Sequence, residues 1–137
     1  MGYTSEIERL AIGDNGVEHV DTGSLPNIMV DGAAIVDDND NVFVLGGFEY
    51  QAHHVHGVDT WFNDGDEQAG KLNNARRKHT ATLITSTSKV LIAGGYDSRP
   101  YADCELFDLT THESSTIRIA NYTSAEDAAA TTLYCEE

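Results

Sequence analysis

The sequence predicts an all-β chain assembled from a repeated four-stranded unit. Three observations lead there. The stretch "VFVLGGF" at 42–48 returns as "VLIAGGY" at 90–96, so that Gly46 and Gly47 map onto Gly94 and Gly95, 48 residues later. Short apolar runs rich in Val, Ile, Leu and Thr alternate with Gly, Asp, Asn and Ser, which is the pattern of strands and turns. No window of about 11 residues carries apolar side chains at helical spacing. Self-similarity at a fixed period marks a repeat architecture.

Taken in order, the first predicted elements are strands over Thr4–Ile12 and Val17–Asp21, separated by the turn-prone "GDNG". "DGAAIV" at 31–36 is the next strand, and the 48-residue offset carries it onto "HTATLI" at 79–84 and "DAAATT" at 127–132. "DDNDN" at 37–41 is the following turn, and "VFVLGG" is the strand after it. "TWFND" at 60–64 matches "ELFDL" at 105–109 at an offset of 45, and "EIERL" at 6–10 matches it at 99. The fullest copy reads as four strands, His79–Ile84, Lys89–Tyr96, Asp103–Leu109 and Ser114–Ile119. Ala128–Tyr134 reads as a last strand.

Four antiparallel strands per repeat make one propeller blade. The segments "ARRKHTATLI", "KVLIAGGYD" and "ADCELFDLTTHE" resemble the kelch family, most closely its bacterial and galactose-oxidase-like branch. The resemblance covers residues 28–134 and is strongest over 75–113. It implies a partial propeller: the end of a blade at 4–21, complete blades at 31–72 and 79–119, and the first strand of a further blade at 128–134. It departs from the family where a Trp is usual on the outer strand, since Glu113 and Gln68 stand there. The expected place of the glycine pairs is architectural, because a residue without Cβ permits close backbone approach and positive φ.

The net charge of −15 argues against a nucleic-acid backbone as partner. No apolar stretch is long enough for a helical membrane span, and "MGYTSEIERL" lacks an apolar signal core, so the default compartment is the cytoplasm. Cys104 and Cys135 have no C-x-x-C spacing and are expected to be free thiols. Asn121 opens a glycosylation sequon that matters only in a secreted chain.

Three clusters carry potential chemistry. His53, His54 and His56 in "HHVH" are candidate metal ligands, against the plainer reading of an exposed polar loop. Asp37, Asp38 and Asp40 offer oxygens for calcium, against a hairpin turn. Arg76, Arg77 and Lys78 concentrate three of only eight basic residues. Arg76 and His79 match the family motif by position, and Arg76 is either a ligand contact or a structural ion-pair partner.

Antiparallel blades sort these loops onto two ends. One gathers Arg76, Arg77, Lys78, Arg99, Tyr50, Tyr101, His54 and His56, and the other is nearly all acid. Arg and aromatic residues are what interfaces favour. The expected function is a non-enzymatic interaction module without cofactor, binding a protein or an acidic ligand through the first end. The alternatives are a fragment of a carbohydrate-active propeller enzyme, or a building block that self-associates to complete a propeller. No G-x-S-x-G or phosphate-binding glycine loop is present.

Overall fold

A computed structural model describes residues 4–25, 27–49, 60–63, 67–97 and 103–118. Every regular element among them is a β-strand. The chain opens with a hairpin of β1 (Glu6–Gly13) and β2 (Gly16–Ser24), turning at Asp14 and Asn15. A first four-stranded sheet comes next, made of β4 (Ala33–Val36), β5 (Val42–Leu45), β7 (Thr60–Asn63) and β8 (Glu67–Lys71). The second contains β9 (Thr80–Leu83), β10 (Lys89–Ala93), β11 (Asp103–Asp108) and β12 (Glu113–Arg118). Both are antiparallel meanders in sequence order. A short ribbon of β3 (Met29–Val30) and β6 (Phe48–Glu49) forms a separate two-stranded sheet, and the isolated Arg77–Tyr96 bridge is its counterpart in the second repeat.

The strands expected at both ends of the glycine pairs are therefore present, but two registers differ from the sequence alignment. The pairs Ala33–Leu45 and Thr80–Ala93 occupy the same place, so the first strands are related by 47 residues and not 48. The cause is the turn: Val36 pairs with Val42, whereas Leu83 pairs with Val90, which leaves one more residue in the second connection. Left-handed backbone at Asp31 (φ 59°) and Lys78 (φ 51°) marks the same 47-residue equivalence. The third strands are related by 43 residues and not 45, since Leu45 faces Trp61 and Ala93 faces Cys104. The one-residue shift matters more, because it exchanges the two faces of a strand. The segment Ala128–Tyr134 lies outside the described residues.

Side-chain alternation gives each sheet two different faces. Ile35, Phe43 and Leu45 share one face of the first sheet, and Ala81, Leu83, Val90, Ile92 and Phe107 share one face of the second. These two faces, with Leu72 from the connection, form the core. Phe43 and Leu45 are equivalent to Leu91 and Ala93, not to Val90 and Ile92. The sheets thus stack front to back, each offering a different surface, and the edge strands β4 and β9 come together.

The glycine pairs make this approach possible. Gly46, Gly47, Gly94 and Gly95 all have positive φ, of 59°, 106°, 70° and 83°. A Cβ on Gly46 would stand 2.6 Å from both the Arg76 carbonyl and the His79 ring, and one on Gly95 would stand 2.7 Å from the Arg77 carbonyl. Gly47 N–H donates to the Arg76 carbonyl at 2.8 Å, stitching one repeat to the next. Gly46→Ala is therefore expected to lower stability by about 2 kcal/mol or more, through strain and overpacking. Gly13→Ala, whose Cβ would meet nothing nearer than 4.0 Å, should stay within about 0.5 kcal/mol. Urea denaturation of both variants checks this, and equal effects would show that close approach is not what Gly46 is for.

Candidate functional site

The stretch from Leu72 to His79 connects the two sheets, and its side chains decide what lies at the glycine end. Glu105 projects from β11 on the core face, beside Phe107 and across from Ile92, and is fully buried. A buried carboxylate needs donors on all sides. It receives the Asn73 N–H at 2.6 Å, the Asn74 N–H at 3.0 Å and the Ser114 hydroxyl at 2.6 Å. The fourth donor is Arg76, whose Nη2 lies 2.7 Å from Glu105 Oε1. Nη1 of Arg76 donates to the Gly94 carbonyl at 2.8 Å and more weakly to that of Asp103 at 3.3 Å. Arg76 has no exposed surface. Of its two readings in the sequence, the geometry is that of the structural ion-pair partner, and it presents nothing to a ligand.

The same network secures β12. Asn73 Nδ2 donates to the Ser114 carbonyl at 2.9 Å and the Thr116 hydroxyl at 3.1 Å, and Ser114 is itself held by Glu105. Polar contacts from the inter-sheet connection thus hold β12 in place. Sequence reasoning missed Glu105, Asn73 and Asn74. The signal that could have found Glu105 is its place two residues from Phe107 in a strand, which puts a carboxylate on the face of a core aromatic.

His79 is buried between the two glycine pairs, in contact range of both Gly46 and Gly95. Burial, and then the Arg76 guanidinium, lower its pKa to about 4, while the Leu45 backbone acts in the opposite direction. It is a neutral spacer at neutral pH.

Arg77 and Lys78 lie differently. Arg77 is half-buried and Lys78 exposed. Arg77 Cζ sits 4.6 Å from the centroid of Tyr96 and 5.4 Å from that of Phe48, and Lys78 Nζ is 5.8 Å from the Tyr96 ring. Two backbone hydrogen bonds between Arg77 and Tyr96, of 3.0 and 3.1 Å, fix this arrangement, and Lys78 N–H donates to the Asp31 carbonyl at 2.9 Å. The structure brings together Arg77, Lys78, Phe48 and Tyr96. Tyr50, His53, His54, His56, Arg99 and Tyr101 lie outside the described residues.

At the opposite end, the turns at 37–41, 84–89 and 109–112 surround a cleft of about 300 Å³ whose floor includes Phe43, Leu83 and Leu109. The Asp37 carboxylate accepts the backbone N–H groups of Asn39 (2.8 Å) and Asn41 (2.9 Å) and Asn41 Nδ2 (3.0 Å). That is an Asx-type hairpin turn. Burial, the largest single influence, raises its pKa, but the hydrogen bonds together outweigh it and leave the carboxyl below its ordinary value. The Thr110 and Thr111 N–H groups do the same for Asp108. Among the described residues, no group of three His, Cys, Asp or Glu is placed to hold a metal ion, and no helix is long and apolar enough to cross a membrane.

No family model matches this chain, and no curated protein shows significant similarity to it. One expectation from the sequence is overturned by the structure. Cys104 is disulfide-bonded, not a free thiol. C-x-x-C spacing identifies metal and redox motifs, but it does not govern which cysteines a folded β-structure brings together. Cys135, the only other cysteine, lies outside the described residues.

The buried charges generate two predictions. Glu105→Gln is expected to cost roughly 3–5 kcal/mol, because it removes the nearest carboxylate from the buried Arg76 cation, with that of Asp103 farther off at 3.6 Å. Adding Arg76→Met to Glu105→Gln should cost clearly less than the two single changes together, a coupling that a double-mutant cycle in urea measures. Additive costs would show that the two side chains do not act as a pair.

The second concerns pH. His79 is neutral in the fold down to about pH 4, whereas an unfolded His titrates near 6.5. The unfolded state therefore binds the extra proton between these values. Stability is complete above pH 6.5 and falls by about 3 kcal/mol as pH drops toward 4. The losses tied to Asp37 and Asp108 come only below 3.8. Relative to its own value at pH 7, a His79→Gln variant should show a flatter profile between pH 6.5 and 4.5. Parallel profiles would assign the acid sensitivity elsewhere.

Proposed function

We propose that this chain is a segment of a kelch-type β-propeller that acts as a non-enzymatic interaction module, binding a protein or acidic ligand through the glycine end. The propeller reading is supported by the front-to-back stacking of two equivalent four-stranded meanders whose edge strands β4 and β9 meet. Packing of this kind can be continued from either sheet, as blades around an axis require. The kelch motifs at 75–113 agree with it.

The placement of Arg77 and Lys78 carries the binding reading. Two cations and two aromatic rings share one accessible patch on a chain of net charge −15. Arg and Tyr are enriched at the energetic centres of interfaces, and binding residues concentrate on loops held by a rigid scaffold. Arg76 is left out of the patch because it is internal.

A second reading, self-association, is favoured by the hairpin. Leu10, Ile12 and Val17 share one face of β1–β2 and are exposed, Ile12 to 89%. In the kelch reading this hairpin is the outer half of a blade, and two further strands, the first of them paired along β1, would complete its four. Sedimentation of the purified chain over a range of concentrations distinguishes a partner-binding monomer from a self-assembling one.

The binding end is tested by selecting ligands from a random peptide library on the immobilised chain. Selected peptides should lose roughly tenfold or more in affinity on the Arg77→Glu, Lys78→Glu variant. They should be unaffected by Lys89→Glu, which alters a cation at the opposite end. Peptides that bind all three proteins alike would refute the assignment of this end.

A further inference from the structure

Arg77 differs from the other described guanidinium groups. Arg76 finds Glu105, and Arg9 lies 3.9 Å from Asp21. Among the described residues no carboxylate forms an ion pair with Arg77, despite the acidic composition. Aromatic rings hold the side chain instead. A guanidinium lying over rings keeps its terminal Nη donors available, and those donors form a fork that matches a carboxylate. Lys78, on the next residue, shares the Tyr96 ring and adds a second cation. Neighbouring like charges become favourable together when an anion lies between them.

We propose that Arg77, with Lys78 beside it, is a recognition site for a single side-chain carboxylate presented by a partner polypeptide among otherwise neutral residues. The proposal rests on the reading of the glycine end as the binding end, and it specifies the ligand chemistry. A carboxylate fits better than a polyanion for two reasons. The field of a chain with net charge −15 repels extended negative charge, and the patch has only two cations with which to offset it. Tyr96 and Phe48 are positioning residues here, because they orient the guanidinium without supplying charge.

The test is nuclear magnetic resonance of the arginine-labelled protein, following the Arg77 Nε–H signal and the Tyr96 ring. The probe is the blocked peptide Gly-Ser-Glu-Ser-Gly, compared with the same peptide carrying Gln and, separately, with inorganic phosphate. The Glu peptide should shift both signals saturably, and the Gln peptide should leave them in place. Arg77→Lys, which keeps the charge but loses the fork, should weaken the Glu peptide about fivefold or more with the backbone spectrum otherwise unchanged. Equal shifts from the Glu and Gln peptides, or from phosphate as strong as from the Glu peptide, would overturn carboxylate recognition. No shift at roughly tens of millimolar Glu peptide would do so too. If library peptides still depend on Arg77 and Lys78 in that case, the binding end stands and only its proposed ligand falls. If they do not, both fall together.

Discussion

The ion pair between Arg76 and Glu105 is the contact on which the two sheets depend, and it explains several features that otherwise look unrelated. Neither side chain has any exposed surface, so each charge must be answered within the protein. Glu105 is fixed by its strand. Answering it brings in the backbone of Asn73 and Asn74, the hydroxyl of Ser114 and the guanidinium of Arg76. The inter-sheet connection is thereby pinned along much of its length to the second sheet. The same guanidinium reaches the Gly94 carbonyl, so the turn at the end of β10 is set by the same pair.

That pin constrains the next three residues of the chain. With Arg76 turned inward, Arg77 is the residue that bridges to Tyr96, Lys78 takes a left-handed backbone, and His79 is inserted between the glycine pairs. The four consecutive residues Arg76–His79 thus divide into two interior residues, Arg76 and His79, flanking two surface ones. A ligand at Arg77 would sit one residue from a buried network, so the position of its guanidinium is inherited from the interior and is not set by surface flexibility. Preorganisation of this kind lowers the entropic cost of binding.

The legible part of the fold was the part written in local pattern. Repeated "GG" motifs, alternating apolar runs and Asp- and Asn-rich turns placed the strands of the second sheet close to their observed bounds. Pairing register was less legible. A connection one residue longer in the second repeat shifts β9 relative to β4, and nothing in the apolar pattern of "DGAAIV" and "HTATLI" distinguishes the two alignments. The site was legible as a concentration of charge in "RRK", but not as a division of labour within it. Which of the adjacent arginines is buried depends on Glu105, 29 residues away in β11. The disulfide at Cys104 was illegible for the same reason, since it is a tertiary relation without a local spacing rule.

The unlike faces of the two sheets have a consequence for assembly. A two-fold dimer joins identical patches, but the stacking inside this chain joins a Phe43–Leu45 surface to a Val90–Ile92 surface, which are different sides of equivalent sheets. Any further copy added by the same contact must arrive in the same orientation as the last. Association of that kind has polarity, and it ends only where the rotation per sheet returns to its start or where a non-equivalent surface interrupts it. The geometry of one internal contact would thus give any such growth a direction, and closure into a ring would be a question of angle, not of affinity.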